Sequence, residues 1–186
     1  MNIREKLRAA LIKEGAHKAN KLGCVMIFLD FDKEKWDELQ AMIDEKDLYL
    51  PEGETGYGRE VDPHVTVLYG LEVDIPDKDI TAEIKKIKTP EITTGDVSSF
   101  ENKLFDVIKF DMVSDDLHEL NNKFKEFPYK SDYPDYHPHC TIAYVNKGTA
   151  KKYIDKMNEI DKMEVKPSKI VYSKADGKKL DYKLND

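Results

Sequence analysis

The sequence predicts an α+β protein in which two related lobes each contribute antiparallel strands, with helices packed outside them. The main observation is a seven-residue segment that occurs twice, PHVTVLY at 63–69 and PHCTIAY at 138–144, with four identical positions. The second observation is that each copy lies in the same series of predicted elements: strand, helix, proline-rich loop, repeat strand, helix and strand. The two copies are therefore predicted to occupy equivalent places, related by a pseudo-two-fold axis that brings them together across one cleft.

The sequence predicts an N-terminal helical extension at 1–22, which contains a helix at 2–21. A single bilobal domain with intertwined lobes is predicted at 23–186. In the first half Gly23 begins a continuous apolar run, Asp32 is a helix N-cap, and Trp36 and Leu39 mark the apolar stripe of the helix that follows. The predicted elements of this half are a strand at 23–31, a helix at 33–46, a loop at 47–63, the repeat strand at 64–70 and a helix at 77–87.

The second half follows the same rules. A tight turn at Asn102 and Lys103 joins two strands, and Asp115 starts a helix with Leu117 and Leu120 on its apolar side. The predicted elements are strands at 91–101 and 104–113, a helix at 115–126, a loop at 127–138, the repeat strand at 139–145, a helix at 149–159, and strands at 164–174 and 180–184.

The composition is typical of a soluble globular protein, with 186 residues, 40% of them hydrophobic and 36% charged. No apolar run approaches the roughly 20 residues of a membrane span, and the charged N-terminus lacks the apolar centre of a signal peptide. The sequence therefore predicts a cytoplasmic protein without a membrane partner. The net charge of −7 argues against a long nucleic-acid partner, because phosphate contacts need a basic surface. It permits a small phosphate-containing ligand in a pocket.

Each repeat strand presents a histidine and a threonine on one face, because residues two apart in a strand share a face. His64 and Thr66 point to one side and Val65 to the other, and the second copy places His139 and Thr141 together in the same way. A pair of such strands therefore predicts two imidazoles and two hydroxyls in one cleft.

Strict alternation has a further consequence for the last residue of each copy. Tyr69 and Tyr144, three residues after the threonine, are predicted to lie on the opposite face and to serve as packing residues. Cys24 and Cys140 lie in apolar strand-like runs and are predicted to be buried free thiols.

These residue types suit phosphodiester cleavage. The reaction needs a base that takes a proton from the attacking oxygen and an acid that protonates the leaving oxygen. A pair of imidazoles, here His64 and His139, supplies both roles near neutral pH, and the hydroxyls of Thr66 and Thr141 can donate to the non-bridging oxygens. The imidazoles are expected to face each other at about 6–8 Å. Which of them is the base stays open, and no cofactor is expected.

A metal site is the alternative chemistry for the same region. His137 and His139 could ligate a metal ion together with His64 and Asp62. The threonines would then have no role, and His137, which precedes a proline, is expected in a loop or at the rim of the site.

Five residues near the motif strands are candidates for substrate binding: Tyr57, Arg59, Phe100, Lys130 and Tyr136. The two tyrosines lie in the loops before the motif strands and either stack on bases or pack internally. The arginine and the lysine occupy the same loops and either offset phosphate charge or remain solvated. The phenylalanine ends a strand and is either a platform for a base or part of the core.

The two segments His64-Val65-Thr66-Val67 and His139-Cys140-Thr141-Ile142 fit the pattern H-Φ-[ST]-Φ. A pair of these motifs resembles the 2H phosphoesterase superfamily, and the resemblance extends from about Gly23 onward. It implies a bilobal fold with central antiparallel sheets and outer helices. It also implies metal-independent cleavage of phosphodiesters, often 2′,3′-cyclic phosphates, RNA ends or oligonucleotides, with the histidines and threonines of both motifs as catalytic residues.

The tract at 133–139 and the small size look most similar to phage anti-CBASS phosphodiesterases. This implies a cyclic di- or trinucleotide immune signal as the substrate, and the host cytoplasm as the location if the protein is phage-encoded. Two alternatives stay open: an enzyme that opens 2′,3′-cyclic phosphates at RNA ends, and a non-catalytic nucleotide-binding protein. The negative net charge favours a small cyclic nucleotide or a short oligonucleotide as the partner.

Overall fold

The computed structural model describes residues 22–131, 133, 135–163 and 165–184, so the helix predicted at 2–21 lies outside the described residues. The helices and strands are β1 Gly23–Asp30, α1 Lys33–Ala41, β2 His64–Leu71, α2 Asp77–Ile84, β3 Thr93–Glu101, β4 Phe105–Val113, α3 Asp115–Phe124, β5 His139–Asn146, α4 Lys151–Met157, β6 Lys166–Ser173 and β7 Lys179–Lys183. Every strand and helix predicted from residue 23 onward is present.

The largest difference concerns the end of α1, which was predicted at residue 46 and is observed at Ala41. Asp44 has an extended backbone, and a short 3-10 turn follows at Glu45–Asp47. The carbonyls of Gln40 and Ile43 accept hydrogen bonds from the guanidinium group of Arg59. This side chain caps the end of the helix, because the last carbonyls of a helix need partners from outside it.

The strands form one seven-stranded sheet in the order β3-β4-β5-β2-β1-β6-β7. All of its pairings are antiparallel. We call β1, β2, β6 and β7 lobe 1, and β3, β4 and β5 lobe 2. The two lobes meet where β2 pairs with β5, and counting outward from this junction gives β2-β1-β6 on one side and β5-β4-β3 on the other. The sequence predicted a sheet in each lobe, and the structure joins them into one.

The four helices of the described residues cover one face of this sheet and build the main core with it. Each contributes buried side chains that pack with the inward residues of the strands: Trp36, Leu39, Ile80, Ile84, Leu117, Phe124, Tyr153 and Met157. Two helices begin at N-caps at matching places in the lobes, after β1 and after β4. There the side chains of Asp32 and Ser114 accept hydrogen bonds from backbone amides of the first turn. Within the described ranges, none of the helices is long and apolar enough to cross a membrane.

Both motif strands contain a β-bulge at the residue after the threonine. On β2 the pairing with β1 moves from Thr66 to Leu68 and leaves Val67 as the extra residue. On β5 the pairing with β4 moves from Thr141 to Ala143 and leaves one extra residue at the matching place. A bulge inserts one residue and so resets the alternation of faces beyond it.

The predicted position of the two motif tyrosines is therefore wrong. Tyr69 pairs with Cys24 on β1, and Tyr144 pairs with Val107 on β4. Cross-strand partners share a face, so both rings lie on the face that carries the histidines and threonines. The two apolar residues between threonine and tyrosine both point into the core, which explains their spacing in the sequence. The prediction that Cys24 and Cys140 are buried free thiols is confirmed.

Side-chain amides from the helices hold both bulges, and each helix holds the bulge of the other lobe. Asn121 of α3, which follows β4 of lobe 2, donates to the carbonyl of Val67 in lobe 1 at 2.6 Å. Gln40 of α1, which follows β1 of lobe 1, donates to the carbonyl of Ile142 in lobe 2 at 3.1 Å. Buried carbonyls need donors, and these amides supply them; the carbonyl of Ile142 also accepts from the backbone amide of Glu60 at 3.0 Å.

Candidate active site

The site is built at the junction between the lobes, where Val65 of β2 pairs directly with Cys140 of β5. Both side chains belong to the main core on the helix-covered face. The residues before and after each of them must therefore point to the other face of the sheet. This single register decides that the polar positions of both motifs share one surface.

On that surface His64 lies opposite Thr141, and Thr66 lies opposite His139, because the antiparallel register continues by one residue in each direction. The two histidines are diagonal neighbours, a relation that separates residues by about 7–8 Å. This relation is between backbone positions, so the 6–8 Å expected between the two imidazoles stays a prediction. Their catalytic assignment stays a prediction.

The two imidazoles are held by the same backbone contact. His64 Nδ1 donates to the carbonyl of Asp62 at 2.8 Å, and His139 Nδ1 donates to the carbonyl of His137 at 2.9 Å. Since a carbonyl oxygen only accepts, Nδ1 must carry the hydrogen, and Nε2 becomes the nitrogen that exchanges protons. His137 is exposed before β5, as its predicted place in a loop or at the rim implied.

The hydroxyl of Thr66 is buried and has no hydrogen-bond partner among the described residues. A buried donor without a partner costs about 1–3 kcal/mol, a cost that a bound acceptor removes. Thr141, which is 4% exposed, lies on the neighbouring strand of the same surface. The role of the Thr66 hydroxyl as a donor to an anionic ligand stays a prediction.

In lobe 1 the imidazole of His64 stacks on the ring of Phe28, its cross-strand neighbour, with ring centres 5.5 Å apart. The ammonium group of Lys169 lies 4.9 Å from the centre of the Phe28 ring and pairs with Asp181 at 2.8 Å. The side chain of this lysine is 41% exposed.

In lobe 2 the ring of Phe100 meets the imidazole of His139 edge to face at 4.9 Å. The ammonium group of Lys109 lies 4.4 Å from the centre of the Phe100 ring. It donates to the hydroxyl of Ser98 at 2.7 Å and to the carboxylate of Asp111. Sequence reasoning missed this cluster, although one signal was present: a lysine and an aspartate two residues apart in the mostly apolar strand β4.

Glu60 was also missed. Its carboxylate accepts a hydrogen bond from the backbone amide of Asp62 at 2.9 Å, just before the first motif strand. Burial raises the pKa of the Glu60 carboxyl, and the nearby His64 opposes part of that rise.

Two of the predicted substrate-binding residues are engaged away from the motif side chains. The guanidinium group of Arg59 caps α1, and its assignment to substrate stays a prediction. Lys130 is exposed and pairs with Glu72 at 3.1 Å. Its backbone amide donates to the carbonyl of Gly70, so the loop that carries it adds to the end of β2.

The predicted aromatic residues lie closer to the motifs. The hydroxyl of Tyr136 donates to the backbone carbonyl of Thr66 at 2.9 Å, and burial raises the pKa of this hydroxyl. Tyr57 packs edge-on against Tyr144 at 5.3 Å, within an aromatic cluster on the site face of lobe 2. Phe100 packs at the border of the same cluster. Their contacts with substrate also stay predictions.

Within the part of the chain that the structure describes, no three His, Cys, Asp or Glu side chains are grouped to hold a metal ion. The alternative metal site of His64, Asp62, His137 and His139 is therefore not assembled.

The sequence matches the family model described as the 2′-5′ RNA ligase superfamily over residues 29–178, which is most of the chain. The chain therefore belongs to the 2′-5′ RNA ligase superfamily. This is the 2H phosphoesterase class that the paired motifs indicated, and the protein is accordingly a hydrolase that acts on phosphodiester bonds. No curated protein matches the sequence.

Two solved structures of Kluyveromyces marxianus Usb1 are similar to this chain, one of them determined with uridine monophosphate. Each aligns with a TM-score of 0.52 over 89% of this chain and 99% of the Usb1 chain, at 9% and 10% sequence identity. At such identity the likeness concerns the fold. It confirms the predicted α+β architecture of the 2H phosphoesterase type.

Proposed function

We propose that the protein cleaves a phosphodiester bond in a short nucleotide substrate by acid–base catalysis between His64 and His139. The observation that carries the proposal is the pairing of Val65 with Cys140, which puts both histidines and both threonines on one face. Hydrogen bonds from each Nδ1 to a backbone carbonyl support it, because they leave Nε2 of each ring as the atom that exchanges protons.

In the proposed step the neutral imidazole takes a proton from the attacking oxygen, which forms a new bond to phosphorus. The protonated imidazole gives its proton to the leaving oxygen as the opposite bond to phosphorus breaks. The hydroxyls of Thr66 and Thr141 donate to the non-bridging oxygens, where negative charge accumulates. Neither the base nor the acid is assigned to one histidine, because both rings present Nε2 in the same way.

The first candidate substrate is the end of a short RNA, including one that carries a 2′,3′-cyclic phosphate. The superfamily to which the chain belongs and the Usb1 structure with uridine monophosphate support it. The second candidate is a cyclic oligonucleotide, as in the anti-CBASS phosphodiesterases. The net charge of −7 favours this compact ligand.

A substrate panel tests the proposal. Short uridine-containing RNAs with hydroxyl or 2′,3′-cyclic phosphate ends, and cyclic di- and trinucleotides, are incubated with the protein in EDTA, and the products are separated by chromatography. We expect product in chelator from one of the two classes. Binding of a ligand that stays intact would instead indicate the non-catalytic alternative, and loss of activity in EDTA would contradict metal independence.

Histidine variants complete the test. His64→Ala and His139→Ala are each expected to lower the turnover number by at least about 100-fold, the usual scale of acid–base catalysis. His118→Ala is the matched control, because His118 is an exposed histidine on α3 outside both motifs, where its ring meets that of Tyr136 edge to face at 5.4 Å. A wild-type rate in either motif variant would refute the assignment.

A further inference from the structure

Asp111 is the direct cross-strand neighbour of His139 on the site face of lobe 2. Side chains in this relation have their Cβ atoms about 4.5–5.5 Å apart. The Asp111 side chain is 48% exposed, which makes its carboxylate accessible to a ligand. A charged acceptor thus stands beside one of the two imidazoles.

This carboxylate is fixed in place at both oxygens. Oδ1 accepts from the ammonium group of Lys109, and Oδ2 accepts from the hydroxyl of Ser98 at 3.0 Å. Lys109 in turn donates to the same serine, so the three side chains form a closed set of hydrogen bonds. Each carboxylate oxygen has a further lone pair and can accept another donor.

The burial of Lys109 shows that the cluster is more than a surface ion pair. The lysine side chain is only 5% exposed, and an ammonium group at that depth is costly unless it is paired. The positive charge of Lys109 offsets the negative charge of Asp111. Without it, the carboxylate would repel a phosphodiester at the neighbouring histidine.

Lobe 1 has no equivalent of this cluster. The residue opposite His64 is Phe28, and the residue opposite Thr66 is Met26, whereas lobe 2 has Asp111 and Lys109 at the matching positions. The acceptor therefore serves only the part of a substrate that lies over lobe 2.

We propose that Asp111, held by Lys109 and Ser98, binds the 2′-hydroxyl of the ribose whose oxygen exchanges a proton with His139. The identity of this ligand rests on the proposed function. An ionised carboxylate accepts hydrogen bonds and cannot donate them, so it selects a hydroxyl and not a phosphate oxygen. In a nucleotide the 2′- and 3′-oxygens are on adjacent carbons. In a linkage through the 3′-oxygen the 2′-hydroxyl is free and lies next to the reacting oxygen, and this is the hydroxyl that the proposal assigns to Asp111. In a 2′,3′-cyclic phosphate the 2′-oxygen becomes a hydroxyl only when its bond to phosphorus breaks.

A binding measurement tests this independently of turnover. Uridine 5′-monophosphate and 2′-deoxyuridine 5′-monophosphate are titrated into the full-length protein by calorimetry or NMR. We expect the ribonucleotide to bind about tenfold more tightly, which corresponds to one hydrogen bond to a charged group. In Asp111→Asn the acceptor is uncharged, and we expect this ratio to fall at least threefold.

Two further variants keep the test decisive. The double variant Lys109→Met with Asp111→Leu replaces the ion pair by apolar residues, so that the buried position 109 is not left with an unpaired charge, and it should bind both nucleotides equally. Asp181→Asn is the matched control, because Asp181 pairs with Lys169 in lobe 1, and it should keep the wild-type ratio.

The outcomes separate this proposal from the proposed function. A wild-type protein without preference for the ribonucleotide, or an unchanged ratio in both Asp111 variants, would overturn the ribose site even if cleavage is observed. A ribose preference that Asp111 controls, in a protein that cleaves none of the substrates, would support the site and count against the phosphodiesterase.

Discussion

Each lobe has a phenylalanine and a lysine near its histidine, but on exchanged strands and at different depths. In each, a phenylalanine ring contacts the imidazole and carries an ammonium group over it, at 4.9 Å in lobe 1 and 4.4 Å in lobe 2. The lysine of lobe 1, Lys169, has 41% of its side chain exposed, whereas Lys109 of lobe 2 has 5%. The surface pair contributes little to stability, and the pair with the buried lysine fixes a carboxylate beside the site.

What the lobes share centres on the backbone of the motif segments: the carbonyl that orients each imidazole, the bulge after each threonine, and the bulge carbonyl that accepts from the side-chain amide of a helix. What differs comes from side chains on the flanking strands. This division suggests that the shared parts perform the acid–base chemistry, and that the differing parts choose the substrate.

The largest expected effect comes from the threonines. Thr66→Val should lower the turnover number by about 10²-fold or more, the usual loss when one donor to an oxyanion is removed. Because the Thr66 hydroxyl is buried without a partner among the described residues, its removal should leave the urea midpoint unchanged or raise it. Thr141→Val is the comparison in the other lobe. Wild-type turnover in Thr66→Val would show that its hydroxyl does not serve the reaction.

The next difference between the lobes is a glycine on β2 of lobe 1. Gly70 has φ +113°, and a Cβ there would lie 2.0 Å from the carbonyl oxygen of Lys130. The matching position in lobe 2 is Val145. Gly70→Ala should lower the free energy of unfolding by about 2 kcal/mol or more. Gly148→Ala, with φ +82° and open space, should cost less in the same urea titration. Equal losses would mean that the close approach is relieved by loop movement.

The side-chain amides of Asn121 and Gln40, which reach across the lobes, should contribute differently to the free energy of unfolding because they differ in burial. Asn121 is 3% exposed, so Asn121→Ala leaves the carbonyl of Val67 without its donor and should cost about 1–3 kcal/mol of unfolding free energy. Gln40 is half-buried, and Gln40→Ala should cost about 1 kcal/mol, because water can replace it. Chemical denaturation measures both, and a larger loss for Gln40→Ala would reverse the comparison.

The smallest effect concerns Glu60, a half-buried carboxyl that lobe 2 lacks, since Asp135 at the matching position is exposed. Burial raises the pKa of Glu60 in the folded protein, so the folded state holds its proton above the pH at which the unfolded chain releases it. This group therefore lowers stability as the pH rises from its ordinary pKa of 4.5 through the raised value. Glu60→Gln should be more stable than the wild type near pH 7, and the difference should disappear below pH 4.5. A constant difference in urea midpoint across this range would contradict the linkage.

Local sequence pattern determined the strands, the helices and the identity of the motif residues. Alternation in a strand and periodicity in a helix depend only on neighbours along the chain, and these placed His64, Thr66, His139 and Thr141 correctly on shared faces. The same alternation failed for Tyr69 and Tyr144. Two consecutive apolar residues in both copies were the available sign of a bulge.

Tertiary structure alone decided how the two motifs meet and what surrounds them. The register of Val65 against Cys140 and the bond from Asn121 to Val67 join residues that are 75 and 54 positions apart. The partners of Lys109 come from a neighbouring strand as well as its own. Such contacts depend on how whole elements pack, because the energy of a buried charge or an inserted residue is set by the groups that the fold brings to it.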